Sequence, residues 1–124
     1  MIAKSVHHVS FAVTDLDRSR EFYEGLLGLE PIERPDLGLP GAWYGAGGSE
    51  IHLILAPAGA DTGKPPAELS PLANHSAFAI DDYDKTVDLL KAKRVELLET
   101  NTRMGQLWIR DPDGNIIELI ARPS

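Results

Sequence analysis

The sequence of 124 residues contains no cysteine. This absence excludes disulfides, thiolate metal sites and cysteine nucleophiles, and it is typical of proteins from a reducing compartment. No apolar run approaches the ~20 residues that a membrane-spanning helix needs, and the first ten residues lack the apolar core of a signal peptide. We therefore expect a cytoplasmic protein that does not enter a membrane.

Basic side chains are also scarce. The 12 Lys and Arg residues stand against 19 Asp and Glu residues, which gives a formal net charge of −7. This balance argues against nucleic acids and anionic membrane surfaces as partners. The 43% hydrophobic and 25% charged residues are typical of a globular domain. We expect one domain with its own core and a small molecule as its ligand.

Two segments of the sequence resemble each other at a nearly constant spacing. HVSFAVTDLD begins at His8 and HSAFAIDDYD begins 67 residues later, at His75. IHLI begins at Ile51 and IELI begins 66 residues later, at Ile117. Within a single domain 1–124, the repeat predicts two modules at 1–57 and 73–124. The segment 58–72, rich in glycine and proline, is predicted to be the linker.

Each module is predicted to have the element order βαβββ, which makes the fold class α+β. Thr14 or Asp15 is expected to cap a helix that ends near residue 27, with Gly28 just beyond its end. The second helix is expected from Asp82 to about residue 93. The predicted strands cover 5–13, 29–34, 41–46, 50–56, 74–80, 95–99, 105–111 and 115–121.

Alternation along the strands predicts which side chains face away from the helices. His8, His52, His75 and Glu118 fall on the helix-free face, and the repeat pairs His8 with His75 and His52 with Glu118. A single histidine on a strand is usually structural, but three histidines at inward positions of a repeat indicate a divalent metal site. Zn, Ni, Co, Fe(II) or Mn would suit this donor set. His7 has the opposite parity, so we interpret it as structural or surface-exposed.

The chain resembles the vicinal oxygen chelate superfamily, the group of glyoxalase I, bleomycin resistance proteins and extradiol dioxygenases. The resemblance is carried by HHVSFAVTDLDRSREFYEGLLGLE, NHSAFAI and RDPDGNIIELIARP, and it covers nearly the whole chain outside the linker. It implies two βαβββ modules that form a curved mixed sheet around a metal-binding cleft. It also implies His8, His52, His75 and Glu118 as metal ligands, with Glu118 as the catalytic proton carrier. The metal would chelate two adjacent oxygens of a small substrate.

Two departures from glyoxalase I shape the expected substrate. The position of His52 is typically a carboxylate there, so one carboxylate on a divalent metal leaves a net charge of +1 that favours oxyanions. The polar side chains that anchor glutathione in glyoxalase I fall on Ala12, on Ala56 and near Pro71 in this sequence. We therefore expect an enzyme that does not depend on glutathione. Trp43 and Arg103 are further candidates for contacts with the substrate; the simpler interpretation is core or interface packing for Trp43 and a solvated loop position for Arg103.

The resemblance leaves several functions open. A metal-dependent lyase or isomerase of glyoxalase type is the first hypothesis, because its relatives use four ligands. The alternatives are an Fe(II) ring-cleaving dioxygenase using His8, His75 and Glu118, a drug-binding resistance protein without catalysis, and a thiol transferase of the fosfomycin-resistance kind. A homodimer is expected, and the site could form within one chain or across that dimer.

Overall fold

The computed structural model describes residues 1–122. The last two residues of the predicted second module, Pro123 and Ser124, lie outside the described residues. The chain divides into two compact units, Met1–Gly63 and Lys64–Ser124. The boundary falls inside the segment 58–72. Between residues 1 and 122, no helix has the length and apolar character required to cross a membrane.

Unit one is a four-stranded mixed sheet with one helix. Strand β1 (His8–Val13) leads into helix α1 (Leu16–Arg20), which continues as a π-helical segment over Glu21–Leu26. Strands β2 (Glu30–Ile32), β3 (Gly41–Ala46) and β4 (Ser49–Leu55) follow. The strand order is β1-β4-β3-β2, in which β1 and β4 are parallel and the other neighbours are antiparallel.

Unit two repeats this topology. It contains β5 (His75–Ala79), α2 (Tyr83–Ala92), β6 (Leu98–Asn101), β7 (Gln106–Arg110) and β8 (Ile116–Ile120). Its strand order is β5-β8-β7-β6, again with one parallel pair between the first and last strands. The predicted α+β fold with two βαβββ modules is confirmed.

Both helices begin at an aspartate because its carboxylate satisfies an otherwise unpaired backbone amide. Asp15 accepts from the amide of Arg18 at 3.1 Å, and Asp82 accepts from that of Lys85 at 3.0 Å. Gly28 follows the first helical segment in a left-handed conformation (φ 74°), as predicted. The predicted helix of unit one is present, and its second half has wider π-helical turns.

Aromatic and aliphatic side chains fill the space between each helix and its sheet. In unit one, the Tyr23 ring stacks against Phe11 at 5.7 Å and against Tyr44 at 6.4 Å between ring centroids. Unit two buries aliphatic side chains instead, among them Leu90 and Leu107. The opposite face of each sheet is not covered by its own helix, and this is the face on which the candidate ligands lie. β1 starts at His8, three residues later than predicted.

Candidate functional site

In unit one, strands β1, β3 and β4 bring three rings into a stack. The β3–β4 register places Trp43 directly opposite His52. The His52 imidazole lies 4.1 Å from the Trp43 ring and 4.0 Å from the His8 ring, and the planes differ by 6° and 14°. His52 is only 8% exposed. The stack therefore fixes the plane of the His52 ring from both sides.

Each imidazole of unit one has one ring nitrogen engaged with a protein group. Nε2 of His52 lies 2.9 Å from Oε1 of Glu50 and donates to it, since an ionised carboxylate only accepts. This hydrogen bond holds the pKa of Glu50 below its ordinary value. Nδ1 of His8 lies 2.9 Å from Nδ1 of His7, so one of these nitrogens carries the proton and the other accepts it.

His7 thus touches a predicted ligand, which its parity did not indicate. The alternation rule holds only inside a strand, and His7 precedes the first residue of β1. Its side chain is exposed, as the sequence reading expected. The signal that could have found the contact is the doublet itself, because adjacent histidines at a strand end can meet through their rings.

In unit two, an imidazole and a carboxylate meet atom to atom. Nε2 of His75 lies 3.2 Å from Oε1 of Glu118. Nδ1 of His75 lies 2.7 Å from the backbone oxygen of Ala73 and must carry a proton there, because a carbonyl only accepts. The Nε2 lone pair of a neutral imidazole therefore faces a carboxylate oxygen, a contact that needs a proton or a cation between the two atoms.

The surroundings of Glu118 hold its carboxylate in place. Its other oxygen, Oε2, accepts from Nε2 of Gln106 at 2.9 Å, and the residue is 7% exposed. Trp108 stands opposite Glu118 in the β7–β8 register, as Trp43 stands opposite His52. The Trp108 ring meets the His75 ring edge to face at 4.6 Å.

The structure brings the four predicted ligands together in two pairs, His8 with His52 and His75 with Glu118. Within residues 1–122, no group of three or more His, Asp or Glu side chains is arranged as a metal site. Of the two predicted substrate contacts, Trp43 packs on His52, and Arg103 lies exposed in the turn between β6 and β7.

Unit one also contains a cavity of about 440 Å³ between the helix and β2–β3, which the sequence reading did not identify. Tyr44 lines this cavity and donates a 3.0 Å hydrogen bond to Glu24. Burial is the main reason why the pKa of Tyr44 is raised above its ordinary value, and the hydrogen bond to Glu24 is the second. The Arg34 guanidinium, another lining group, donates to the backbone oxygen of Leu39 at 2.9 Å. The Arg34 side chain packs against Gly41. A Cβ added to Gly41 would lie 2.9 Å from Nε of Arg34.

The sequence of the chain is similar to those of proteins from one superfamily. The model of the Glyoxalase/Bleomycin resistance protein/Dioxygenase superfamily matches residues 5–119. "Glyoxylase I 4" of Arabidopsis thaliana is 35% identical over 93% of this chain and 69% of its own length. "Metallothiol transferase FosB" of Staphylococcus epidermidis is 32% identical over 93% of this chain and 80% of its own.

Among solved structures, a glyoxalase/dioxygenase from Nostoc punctiforme has a TM-score of 0.76 and 27% identity, covering 98% of this chain and 92% of the other. Two further curated relatives are considerably longer. The chain spans 35% of the length of one and 60% of the length of the other, so it corresponds to one part of those proteins.

Proposed function

The chain belongs to the Glyoxalase/Bleomycin resistance protein/Dioxygenase superfamily, and on this premise we propose that it is a metal-dependent lyase or isomerase of glyoxalase type. The similarity to a glyoxylase I and to metallothiol transferases supports a divalent metal in general. We propose His8, His52, His75 and Glu118 as its ligands. The substrate is a small molecule that binds through adjacent oxygens.

One observation carries this proposal, the approach of His75 to Glu118. Two donors that share a metal at bond lengths of 2.0–2.2 Å lie about 3.0–3.4 Å apart for bond angles between octahedral and tetrahedral values. The Nε2–Oε1 distance of 3.2 Å falls in that range. The proton on Nδ1 is already committed to Ala73, so Nε2 presents its lone pair in the tautomer that a metal ligand requires.

The two imidazoles of unit one supply donor atoms for the same role, but their nearly parallel rings stack 4.0 Å apart and must turn before both lone pairs can meet one ion. A ligating histidine usually donates its second ring N–H to a carboxylate, carbonyl or water, which orients the ring and strengthens the ligand. His52 donates to Glu50 and His8 is engaged with His7. In the described part of the chain, the remaining nitrogens, Nδ1 of His52 and Nε2 of His8, have no hydrogen-bond partner and are available to a cation.

The residues have separable roles in the proposed reaction. A bound divalent metal supplies Lewis-acid polarisation of the substrate oxygens. The carboxylate of Glu118 takes a proton from the substrate and returns it, because it is the only carboxylate in the proposed ligand set. Trp43 and Arg103 are proposed to contact the substrate. Three neutral imidazoles and one carboxylate on a divalent ion leave a charge of +1, which favours an oxyanionic substrate.

We propose that the enzyme does not use glutathione. Holding the carboxylates of that tripeptide requires fixed cationic or amide donors. Ala12 in β1 and Ala56 just after β4 have methyl side chains at the positions where the resemblance would place such donors.

We also propose a cytoplasmic location and a homodimer. The metal site then forms either within one chain or across that dimer. Light scattering at micromolar concentration tests the dimer, and a monomer mass contradicts it.

Metal analysis of untagged protein purified without chelators tests the core of the proposal. We expect about one Zn, Ni, Co, Fe or Mn per four-ligand site, and loss of that metal in His75→Ala. The control is a substitution of Arg103, which is not a ligand and retains the metal. Protein that binds none of these ions at micromolar concentration contradicts the proposal. Turnover of the methylglyoxal–glutathione hemithioacetal near ~10⁶ M⁻¹s⁻¹ in kcat/KM would contradict glutathione independence.

The similarity to metallothiol transferases favours a second candidate, a transfer of a thiol to a small electrophile. The two candidates differ in what the metal-loaded protein consumes. A thiol transferase depletes a low-molecular-weight thiol in the presence of fosfomycin and forms a thioether. A lyase or isomerase leaves the thiol concentration unchanged under the same conditions.

A further inference from the structure

A directed chain of hydrogen bonds crosses unit two on the helix-free face of its sheet. Nε1 of Trp108 donates to Oγ1 of Thr100 at 2.9 Å. Oγ1 of Thr100 donates to Oε1 of Gln106 at 2.9 Å, and Nε2 of Gln106 donates to Oε2 of Glu118 at 2.9 Å. The chain joins β6, β7 and β8 and ends on the carboxylate of a proposed metal ligand.

Its direction is fixed by chemistry. An indole N–H only donates, so the Thr100 hydroxyl accepts from Trp108 and has its own proton for Gln106. The amide oxygen of Gln106 therefore faces Thr100, and its NH₂ group faces Glu118. An amide that could otherwise flip is locked in the orientation that donates to the carboxylate.

The backbone supplies Thr100 through a local irregularity of β6. Glu99 pairs with Leu107, but the next pair is Asn101 with Gln106. Thr100 is thus the additional residue of a β-bulge. Bulges often re-aim a side chain next to a functional site, and this one places a hydroxyl between Gln106 and Trp108.

We infer that Gln106, locked by Thr100, is a positioning residue that occupies Oε2 of Glu118 and leaves Oε1 as the single oxygen offered to the metal. The inference rests on the proposed function, because it concerns the same ligand. Without the Gln106 amide, the Glu118 carboxylate is free to rotate and to bind a metal through both oxygens. Coordination geometry and affinity should then change together.

Titration with Co(II) tests the inference, because the visible absorption of this ion reports its coordination number independently of activity. We expect Gln106→Met to weaken Co(II) binding about tenfold to a hundredfold, the usual effect of removing a group that orients a ligand. We also expect its visible bands to lose intensity as the coordination number rises. Thr100→Val should change both readouts in the same direction by less, and Thr100→Ser, which keeps the hydroxyl, should match the wild type.

A second measurement uses the wild-type protein and does not depend on a variant that folds. Gln106 is the only glutamine of the sequence, so glutamine labelled with ¹⁵N gives one pair of side-chain amide signals. We expect these two signals to shift during a Zn(II) titration and to stop shifting when the site is full. The Glu118→Gln variant should remove that response.

The outcomes separate the inference from the proposed function. Wild-type protein that binds no Co(II) or Zn(II) overturns both. Wild-type binding with an unresponsive Gln106 amide overturns the inference alone. So does a folded Gln106→Met variant with wild-type affinity and an unchanged Co(II) spectrum. Wild-type binding in Thr100→Ser, a partial loss in Thr100→Val and a larger loss in Gln106→Met support it.

Discussion

In unit one, two imidazoles meet face to face, whereas in unit two an imidazole and a carboxylate meet donor atom to donor atom. The same topology underlies both pairs: each has one proposed ligand on the first strand of its unit and one on the last, and the second of these pairs with a tryptophan on the third strand. His8 and His52 are therefore held in their ring planes. His75 and Glu118 are held at a metal-compatible separation.

The two units place their candidate ligands at equivalent strand positions, but the groups that hydrogen-bond to those ligands differ. The second ring nitrogen of His52 is bound to the charged carboxylate of Glu50, and that of His75 to the neutral carbonyl of Ala73. A charged partner strengthens an imidazole ligand more than a neutral one. The variants below test whether unit two sets the geometry of the centre while unit one supplies neutral ligands.

The largest effect is expected from Glu118→Gln, which keeps the shape of the side chain and removes both the charge and the base. Loss of a general base typically costs about a hundredfold to ten-thousandfold, so we expect kcat to fall about a thousandfold, with weaker metal binding. Steady-state kinetics on any substrate that the protein turns over measures this. Glu68→Gln, an exposed substitution in the same unit, is the control. A larger loss of kcat from His52→Gln would show that unit one, and not unit two, makes the larger contribution to catalysis.

The next effect concerns the stability of each unit. Leu90 is 2% exposed and Leu89 is 47% exposed, so Leu90→Ala should lower the free energy of unfolding by about 2–5 kcal/mol and Leu89→Ala by about 0.5 kcal/mol or less. Trp43 and Trp108 provide one fluorescent reporter in each unit. In urea, we expect Leu90→Ala to shift the Trp108 transition more than the Trp43 transition. Equal shifts would mean that the two units unfold as one.

Glu50→Gln should weaken metal binding about tenfold, at the lower limit for a residue that orients a ligand. The neutral amide can no longer accept a charge-assisted bond from Nε2 of His52. Isothermal titration with Zn(II) measures the change. Glu30→Gln, an exposed substitution in the same sheet, is the matched control. Unchanged affinity would show that Glu50 is only a surface partner of the ring.

The smallest expected effects lie at the ends of the two helices. Gly28 (φ 74°) and Arg94 (φ 57°) both have left-handed backbone conformations, and only glycine adopts this without strain. Gly28→Ala should destabilise the protein by about 1 kcal/mol, and Arg94→Gly should stabilise it by about 0.5 kcal/mol. Thermal unfolding of the two variants provides the comparison. A loss of stability in Arg94→Gly would mean that the arginine side chain contributes more than the strain costs.

Local chemistry allowed much of the fold to be predicted from the sequence. Strand 41–46, the cap at Asp15, the left-handed Gly28 and the side of the sheet on which His52 lies all follow from alternation or turn preferences. The contacts of the site were not predictable in this way. The hydrogen-bond partners of His52 and Glu118 depend on which ring nitrogen or carboxylate oxygen faces which neighbour. The placement of Thr100 depends on a β-bulge, which no residue type in β6 predicts. These features arise from packing between strands.

The π-helical segment of unit one accounts for the change of the repeat spacing from 67 to 66 residues. The amide of Leu29 bonds to the oxygen of Tyr23, six residues earlier, whereas the amide of Val95 bonds to that of Leu90, five residues earlier. One copy of the module thus contains a residue that the other lacks. An insertion in a regular α-helix would rotate everything after it by about 100°, but a widened turn absorbs it locally. The two halves therefore differ in length at this turn, while the first and last strands of each sheet keep the same pairing, Ser10 with His52 and Ala77 with Glu118.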